Sequence, residues 1–231
     1  MTQAPPSPKE SVHKLILDAI LNGDIDVKDQ ISERGIAERF SVGRTKVREA
    51  LRDLINDGIL SAEPARGTFI RELTLTEMRE IYEVRYALES MAAHLAAKHG
   101  PLPELAAYAE RFEDMRDNTA NYDLKEIDEY GAEFHTEIFR SARNEKLLQI
   151  YQPVRLRLAT ALTLPRYYEP DWVLKALDEH IEILKAITDR DSMLAQSRLV
   201  EHMARGFETR MRIFDRLDGY SLPPLNTKGM T

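Results

Sequence analysis

Residues 32–71 contain a run of short elements in an order that few small domains share. The letters "SERGIAERF" predict a short helix with Ser32 as its N-cap, and "SVG" then interrupts the chain. A second amphipathic helix is predicted over 44–56, and two runs with strand character, 59–62 and 68–71, flank a turn that contains Gly67. With a further helix predicted in "VHKLILDAIL", these elements make three helices and a β-hairpin. The sequence therefore predicts a winged helix-turn-helix.

The rest of the chain shows helical periodicity and almost no strand signal. Apolar stripes with helical spacing recur at 75–99, 103–118, 122–141, 144–163, 171–189 and 192–218. We therefore expect a mainly α protein, in which the winged helix-turn-helix is followed by an all-helical bundle of about six helices. The predicted organisation is a flexible tail, a winged helix-turn-helix domain, a helical domain and a second flexible tail, over 1–8, 9–73, 74–218 and 219–231.

Composition excludes several classes of protein. The chain has no cysteine, which excludes a disulfide framework and any thiolate metal or redox site. No uninterrupted apolar run approaches the roughly 20 residues that a membrane-spanning helix needs. The first residues, "MTQAPPSPKE", lack the cationic and apolar regions of a secretion signal. We therefore expect a cytoplasmic protein with no membrane partner.

Four cationic side chains lie within nine residues of one predicted helix. The formal net charge is -7, yet Arg44, Lys46, Arg48 and Arg52 all fall in the second amphipathic helix of the winged helix-turn-helix. In such a domain this helix enters the major groove of DNA, while neighbouring cations hold phosphates. An exposed cationic helix face is often only a solvated face, but here the break, the helix and the hairpin occur in the order that DNA binding requires. The pattern predicts a local DNA-binding patch on an acidic chain.

Three segments of this domain carry a family resemblance. "LNGDI", "ERGIAERFSVGRTKVREALRDLINDGIL" and "ARGTFI" closely resemble the DNA-binding domain of GntR-family transcription regulators. The resemblance implies a homodimeric, ligand-responsive repressor of a metabolic operon that binds a double-stranded DNA operator. It implies DNA contacts at Arg34, Arg44, Thr45, Arg48 and Gly67, and we add Lys46 and Arg66 as candidates.

The break between the two helices departs from the family pattern "GVSRTPVREAL". Ser41 and Gly43 exchange the customary Gly and Ser, and Lys46 replaces a Pro. The missing hydroxyl at Gly43 weakens an N-cap or a phosphate contact, whereas Lys46 adds a cation. These differences affect which operator sequence is bound.

The helical remainder resembles the FCD effector domain of the FadR subfamily. "EFHTEIF", "DEHIEIL" and "VEHMARG" resemble the segments that supply metal-binding histidines there, which implies His135, His180 and His202 as ligands of a divalent cation such as Zn or Ni. On general grounds, a lone histidine on a helix is more often a packed or surface residue than a ligand. The assignment therefore depends on the resemblance.

Two further positions bear on the effector. Arg85 in "YEVRYALE" resembles an arginine that faces the cavity of FCD domains, which implies a clamp for a small carboxylate effector. The alternative is an ion pair between Arg85 and Glu89, one turn later. The family has an Asp one turn before the first histidine, where this chain has Gly131. Without that carboxylate we expect a weaker metal site, and we expect Gly131→Asp to strengthen it.

Two other classes of function remain open at this stage. One is a metal-dependent hydrolase, or a metal sensor, that carries a DNA-binding domain, because three histidines with an open position can activate water. Against a hydrolase, the sequence shows no paired general base and no nucleophile motif, so we expect no enzyme activity. The other is an architectural DNA-binding protein whose helical bundle serves only for dimerisation.

Overall fold

The structure, a computed structural model, describes residues 8–26, 28–161 and 170–218. The two predicted tails lie outside the described residues, except for Pro8, which begins the first helix. The chain divides into two compact units. The first holds the residues up to Met78 together with a segment that begins at Gln152, and the second holds Arg79–Tyr151 and the last two helices. No helix in the described part of the chain is long and apolar enough to cross a membrane.

The part of the first unit that precedes Leu75 consists of three helices and a two-stranded hairpin. Its elements are α1 (Pro8–Leu21), α2 (Glu33–Phe40), α3 (Arg44–Asn56), β1 (Leu60–Glu63) and β2 (Gly67–Ile70). Helices α1 and α2 both pack on α3. Their apolar stripes meet in a core that includes Ile16, Val47 and Leu54, all fully buried. Burial of this apolar surface stabilises the arrangement and leaves the opposite side of α3 in solvent.

The ends of α2 and α3 differ in how well they are capped. Ser32 accepts a hydrogen bond from the backbone N–H of Gly35 at 3.0 Å, which confirms the predicted N-cap of α2. Ser41 ends α2 with φ 52°, a left-handed conformation that costs a non-glycine residue free energy. Gly43 precedes α3 in an N-cap position but supplies no side-chain hydrogen bond. Each of the two residues therefore occupies the position that would suit the other.

The hairpin is held to the chain before α2. Its strands pair antiparallel from Leu60 opposite Ile70 to Glu63 opposite Gly67. The side-chain amide of Gln30 donates to the carbonyl of Arg66 at 2.7 Å. Gly67 has φ +115°, and a Cβ there would collide with the Gln30 amide. Glycine is therefore favoured at this position of the wing by conformation, and any other residue would also have to displace the Gln30 side chain.

Seven further helices follow in the described part of the chain. They are α4 (Leu75–His99), α5 (Pro103–Ala106), α6 (Tyr108–Asp117), α7 (Leu124–Ser141), α8 (Glu145–Ala161), α9 (Pro170–Thr188) and α10 (Ser192–Asp218). Helix α9 packs against α6, α7 and α10. Because it has neighbours on several sides, its buried stripe includes Leu177, His180 and Ile183, and the rings of Phe112 and Phe134 fill the space beside it.

The predicted fold class is confirmed, and the differences are local. Both strands are shifted by one residue from their predicted ranges, β1 toward the C-terminus and β2 toward the N-terminus. The helix predicted over 103–118 is divided into α5 and α6 at Ala107, which no Gly or Pro signals. The end of the helix predicted over 144–163 extends past Ala161 and so lies partly outside the described residues.

We predict that Ser41→Gly raises the free energy of unfolding by about 1 kcal/mol, because glycine adopts the left-handed conformation without the Cβ clash. Gly43→Ser should add a few tenths of a kcal/mol by capping α3, since nothing lies within 4 Å of a Cβ there. Urea unfolding of the full chain measures both changes. Ser41→Ala is the control, and an equal gain from it would show that conformational strain at Ser41 is not the cause.

Candidate metal centre and nucleic-acid interface

Three imidazole rings from three helices converge inside the second unit. His135 comes from α7, His180 from α9 and His202 from α10, and their ligand nitrogen atoms all lie within 4.8 Å of one another. The Nε2 atom of His180 is 3.2 Å from the Nε2 atom of His135 and 3.2 Å from that of His202. The structure thus brings together the three histidines that the sequence analysis singled out.

One buried and one partly exposed carboxylate orient two of these rings. Nδ1 of His135 is 2.6 Å from Oε2 of Glu89, and Nδ1 of His202 is 2.8 Å from Oε2 of Glu179. Burial alone would raise the pKa of Glu89, but the charge of Arg85 and the hydrogen bond with His135 outweigh it and lower that pKa to about 2. Because an ionised carboxylate only accepts hydrogen bonds, each Nδ1 must carry the proton. The Nε2 lone pairs of both rings therefore face the centre of the cluster.

The three Nε2 atoms that face one another do not carry enough protons for each to take part in a hydrogen bond. Burial lowers the pKa of His180 well below its ordinary value, and burial also lowers the pKa of His202, so both rings are neutral. A single Nε2–H on His180 can be donated to only one of its two neighbours. A divalent cation would accept all three lone pairs. Two nitrogens bound to zinc at tetrahedral angles would be about 3.3 Å apart, close to the 3.2 Å observed here.

Gly131 makes room for one of the three rings. A Cβ at this position would lie 2.5 Å from Cε1 and 3.0 Å from Nδ1 of His180. Phe112 stacks on the same ring, with ring centroids 5.6 Å apart, so His180 is held by packing. A side chain at 131 would therefore require the His180 ring to shift. The expectation that Gly131→Asp strengthens the metal site stays a prediction, and it requires that this shift keeps His180 close to the other two histidines.

A cavity of about 290 Å³ opens beside the histidines. Its charged lining residues are Arg85, Asp128, Lys175, Glu179, Arg205, Glu208, Arg210 and Arg212, of which five are cationic and three are acidic. Within the described part of the chain, Lys175 and Arg212 form no ion pair, and the Arg210 guanidinium lies 5.8 Å from the centre of the Trp172 ring. This lining attracts an anion into the cavity.

Arg85 fits both interpretations that the sequence left open. Its Nε donates to Oε1 of Glu89 at 2.6 Å, which is the ion pair one turn apart. The pair is not on the surface, since the side chains of Arg85 and Glu89 are 12% and 1% exposed. Arg85 also lines the cavity. Sequence reasoning missed that Glu89 and Glu179 orient the histidines, although Glu179 directly precedes His180 in the chain.

The candidate DNA contacts lie on the exposed sides of α2 and α3 and at the turn of the hairpin. Arg34 comes from α2, and Arg44, Thr45, Lys46 and Arg48 come from the first five residues of α3. Arg66 and Gly67 lie at the turn of the hairpin. The side chains of the four arginines, Arg34, Arg44, Arg48 and Arg66, are between 60% and 78% exposed. They are accessible to a polyanion.

Each of these arginines has an acidic neighbour that the sequence analysis did not anticipate. Arg34 donates to Glu38 at 2.7 Å, and Arg66 pairs with Glu63. Arg48 donates two hydrogen bonds to Glu33, and Nη2 of Arg44 lies 3.9 Å from the same carboxylate. These are exposed pairs, which contribute little to folding and can be exchanged for phosphate contacts. Most of the positive charge of the surface is therefore balanced in the free protein.

Comparison with protein families assigns both parts of the chain. Residues 8–70 match the family described as "Bacterial regulatory proteins, gntR family", and residues 80–205 match the "FCD domain". The chain is similar to the probable D-xylose utilization operon transcriptional repressor of Paenarthrobacter nicotinovorans, with 28% identity over 84% of each chain. It is 30% identical to the gluconate operon transcriptional repressor of Bacillus licheniformis, over 76% of this chain and 74% of the relative.

Solved structures with the same fold are found among bacterial regulators. McbR/YncC of E. coli superposes with a TM-score of 0.78 at 21% sequence identity, over 91% of this chain and all of that chain. A putative GntR transcriptional regulator from Rhodococcus sp. RHA1 superposes with a TM-score of 0.69 at 21% identity, over 88% and 97% of the two chains. At this level of identity the likeness concerns the fold alone.

We predict opposite effects on stability from alanine at two helical glycines of the second unit. Gly131→Ala should lower the midpoint of thermal unfolding, because the Cβ would meet the His180 ring at 2.5 Å. Gly206→Ala should raise the free energy of unfolding by about 0.5–1 kcal/mol, since a Cβ there meets nothing within 4 Å and alanine favours a helix. Thermal unfolding of the chelated full-length protein compares the two. A stabilising Gly131→Ala would contradict the close packing of His180.

Proposed function

The chain belongs to the GntR family of bacterial regulatory proteins, with an FCD domain after its DNA-binding domain, and we propose on this basis that it represses a metabolic operon until a small carboxylate binds. The observation that carries the proposal is the cation-lined cavity beside three convergent imidazoles, in a different unit from the exposed arginines of α2 and α3. Such a division separates a site that senses a small molecule from a surface that binds DNA.

The second unit is proposed to hold a divalent metal on His135, His180 and His202. Support comes from the inward-facing Nε2 atoms, the 3.2 Å distances from Nε2 of His180 to the other two, and the two carboxylates that orient the outer rings. Neutral imidazoles suit Zn or Ni. When bound, the cation supplies a Lewis-acidic position that a carboxylate oxygen can occupy. Three protein ligands leave such a position open, and Gly131 puts no side chain into it.

The effector is proposed to be a small carboxylate that lies between the histidines and the cationic wall of the cavity. Arg85 borders this space but shares its guanidinium with Glu89, so it acts as one of several cations rather than as a lone clamp. Lys175 and Arg212, which form no ion pair with another described residue, add to the attraction. A cavity of about 290 Å³ accommodates a molecule of a few carbon atoms.

The first unit is proposed to bind a roughly palindromic operator as part of a homodimer. In a helix-turn-helix dimer, each copy reads one half-site in the major groove. Support for an interface in the second unit comes from α4, on which Val84 and Met91 are 46% and 44% exposed at positions two turns apart. The comparisons do not support a hydrolase, because the relatives of this chain are transcriptional regulators.

We predict different effects from two arginines of the DNA-binding surface. Arg44→Ala should cost about 1–3 kcal/mol of binding free energy and relax the preference for particular bases, because Arg44 lies at the start of the helix that enters the major groove. Arg34→Ala should weaken binding to all sequences similarly and reduce the salt dependence, because it removes a phosphate contact. Mobility-shift titrations on selected and scrambled duplexes at several salt concentrations measure both effects. Unchanged binding in both variants would mean that α3 is not the recognition helix.

We predict that the metal and the carboxylate bind cooperatively. In calorimetric titrations, Zn or Ni should raise the affinity for a small carboxylate, and the carboxylate should raise the affinity for the metal by the same factor, because linkage is reciprocal. Acetate and gluconate are suitable probes, the second because a relative is named for the gluconate operon. His202→Gln should abolish the coupling. His99→Gln, an exposed histidine of α4, should preserve it. A chelated protein that binds the probe undiminished would contradict the metal-bridged site.

A further inference from the structure

Glu33 connects the two helices of the DNA-binding motif through Arg48. It lies in the first turn of α2, and its two carboxylate oxygens accept hydrogen bonds from Nε and Nη2 of Arg48 at 2.7 and 2.8 Å. Arg48 is on α3, 15 residues later in the chain. Both partners are at the surface, with side-chain exposures of 30% for Glu33 and 60% for Arg48.

The contact uses one edge of the guanidinium and leaves another edge free. A guanidinium presents five N–H groups in a planar fork. Because Glu33 occupies the edge formed by Nε and Nη2, the edge formed by Nη1 and the second N–H of Nη2 remains available. This second edge is the one that can donate two parallel hydrogen bonds to O6 and N7 of a guanine in the major groove. Two bonds to Glu33 fix the plane of the guanidinium before DNA arrives.

The other arginine–glutamate contacts of the surface do not have this geometry. Arg34 makes one hydrogen bond with Glu38, which is one turn away on the same helix. Arg44 is only 3.9 Å from Glu33 and makes no hydrogen bond with it. Among the candidate DNA contacts in the described part of the chain, Arg48 is the one whose guanidinium makes two hydrogen bonds to a residue of another helix.

Affinity for DNA does not explain an acid at this position, and folding explains it only through the N-terminus of α2, where a negative charge makes a small favourable contribution to stability. An exposed ion pair contributes little to stability. A carboxylate that faces DNA also repels phosphates, so it lowers affinity for every sequence. A gain in sequence discrimination is the effect that would offset this repulsion, because a pre-oriented side chain loses less freedom when it meets its base.

We propose that Glu33 is a positioning residue that holds Arg48 in the orientation that reads a guanine in each half-site. The proposal rests on the proposed function, since it requires that α3 enters the major groove. It assigns a role in sequence discrimination to an acidic residue that does not itself contact DNA bases. Arg48 is then the residue that contacts the base, and Glu33 acts through it.

The test is a selection from a pool of random duplexes with the full-length protein and four variants. Wild type should enrich a motif with a guanine at one position of each half-site. Glu33→Gln should reduce the preference for that guanine by about fivefold or more, while binding to unselected duplexes stays equal or becomes stronger because one negative charge is lost. Arg48→Lys should lose the preference at the same position, because an ammonium cannot make the two parallel bonds. Glu33→Asp, which keeps the carboxylate, should retain part of the preference.

Glu49→Gln is the matched control. Glu49 is an exposed acid on α3, the helix that also carries Arg48, and it forms no ion pair with another described residue. The substitution removes the same charge and should leave the enriched motif unchanged. Glu33→Gln overturns the proposal if it keeps the wild-type motif, if it alters all positions equally, or if it weakens binding to selected and unselected duplexes alike, as a loss of structure would. A wild-type protein that enriches no motif would instead contradict the proposed function.

Discussion

Two carboxylate–imidazole contacts, Glu89 with His135 and Glu179 with His202, determine the chemistry of the helical unit. Each fixes an Nδ1 proton and thereby turns an Nε2 lone pair toward His180. Removing carboxylates from water is costly, and Arg85 and Arg205 offset that cost by pairing with Glu89 and Glu179. Four helices must be in register for these contacts to form together. The fold of this unit therefore brings together three imidazoles that could hold a cation, beside a cavity with an excess of cationic residues.

Arginine–glutamate pairs occur in both units, but burial gives them different roles. In the helical unit the Arg85–Glu89 pair is almost fully buried, so removing either side chain would leave the charge of the other buried and unpaired. In the DNA-binding unit the pairs of Arg34, Arg48 and Arg66 are exposed, and water or phosphate can replace the glutamates. Arginine–glutamate pairs are therefore permanent in the helical unit, whereas in the DNA-binding unit phosphate can replace the glutamate. The proposed role of Glu33 would make this surface selective for sequence rather than merely attractive to polyanions.

Local sequence patterns were sufficient to predict the fold but only part of the site. Helical periodicity and the turn at Gly67 predicted the winged helix-turn-helix, because each of these signals acts within a few residues. The three histidines were predicted through family resemblance, since nothing in their spacing alone requires them to meet. The close approach of the His180 ring to Gly131 could not be predicted, because the two residues are 49 positions apart in the chain. The contacts of Glu89 with His135 and of Glu33 with Arg48 likewise depend on how helices pack, which the sequence does not show directly.

X-ray absorption spectroscopy of the full-length protein, loaded with one equivalent of Zn or Ni, tests the central claim most directly. The account predicts a first shell with three imidazole nitrogens at about 2.0–2.1 Å and one or more oxygen ligands. Since the chain has no cysteine, no sulfur shell is expected. Addition of acetate should change the oxygen shell and leave the three imidazoles in place. A metal bound by fewer than three imidazoles, or no metal uptake, would contradict the claim that His135, His180 and His202 form one metal centre.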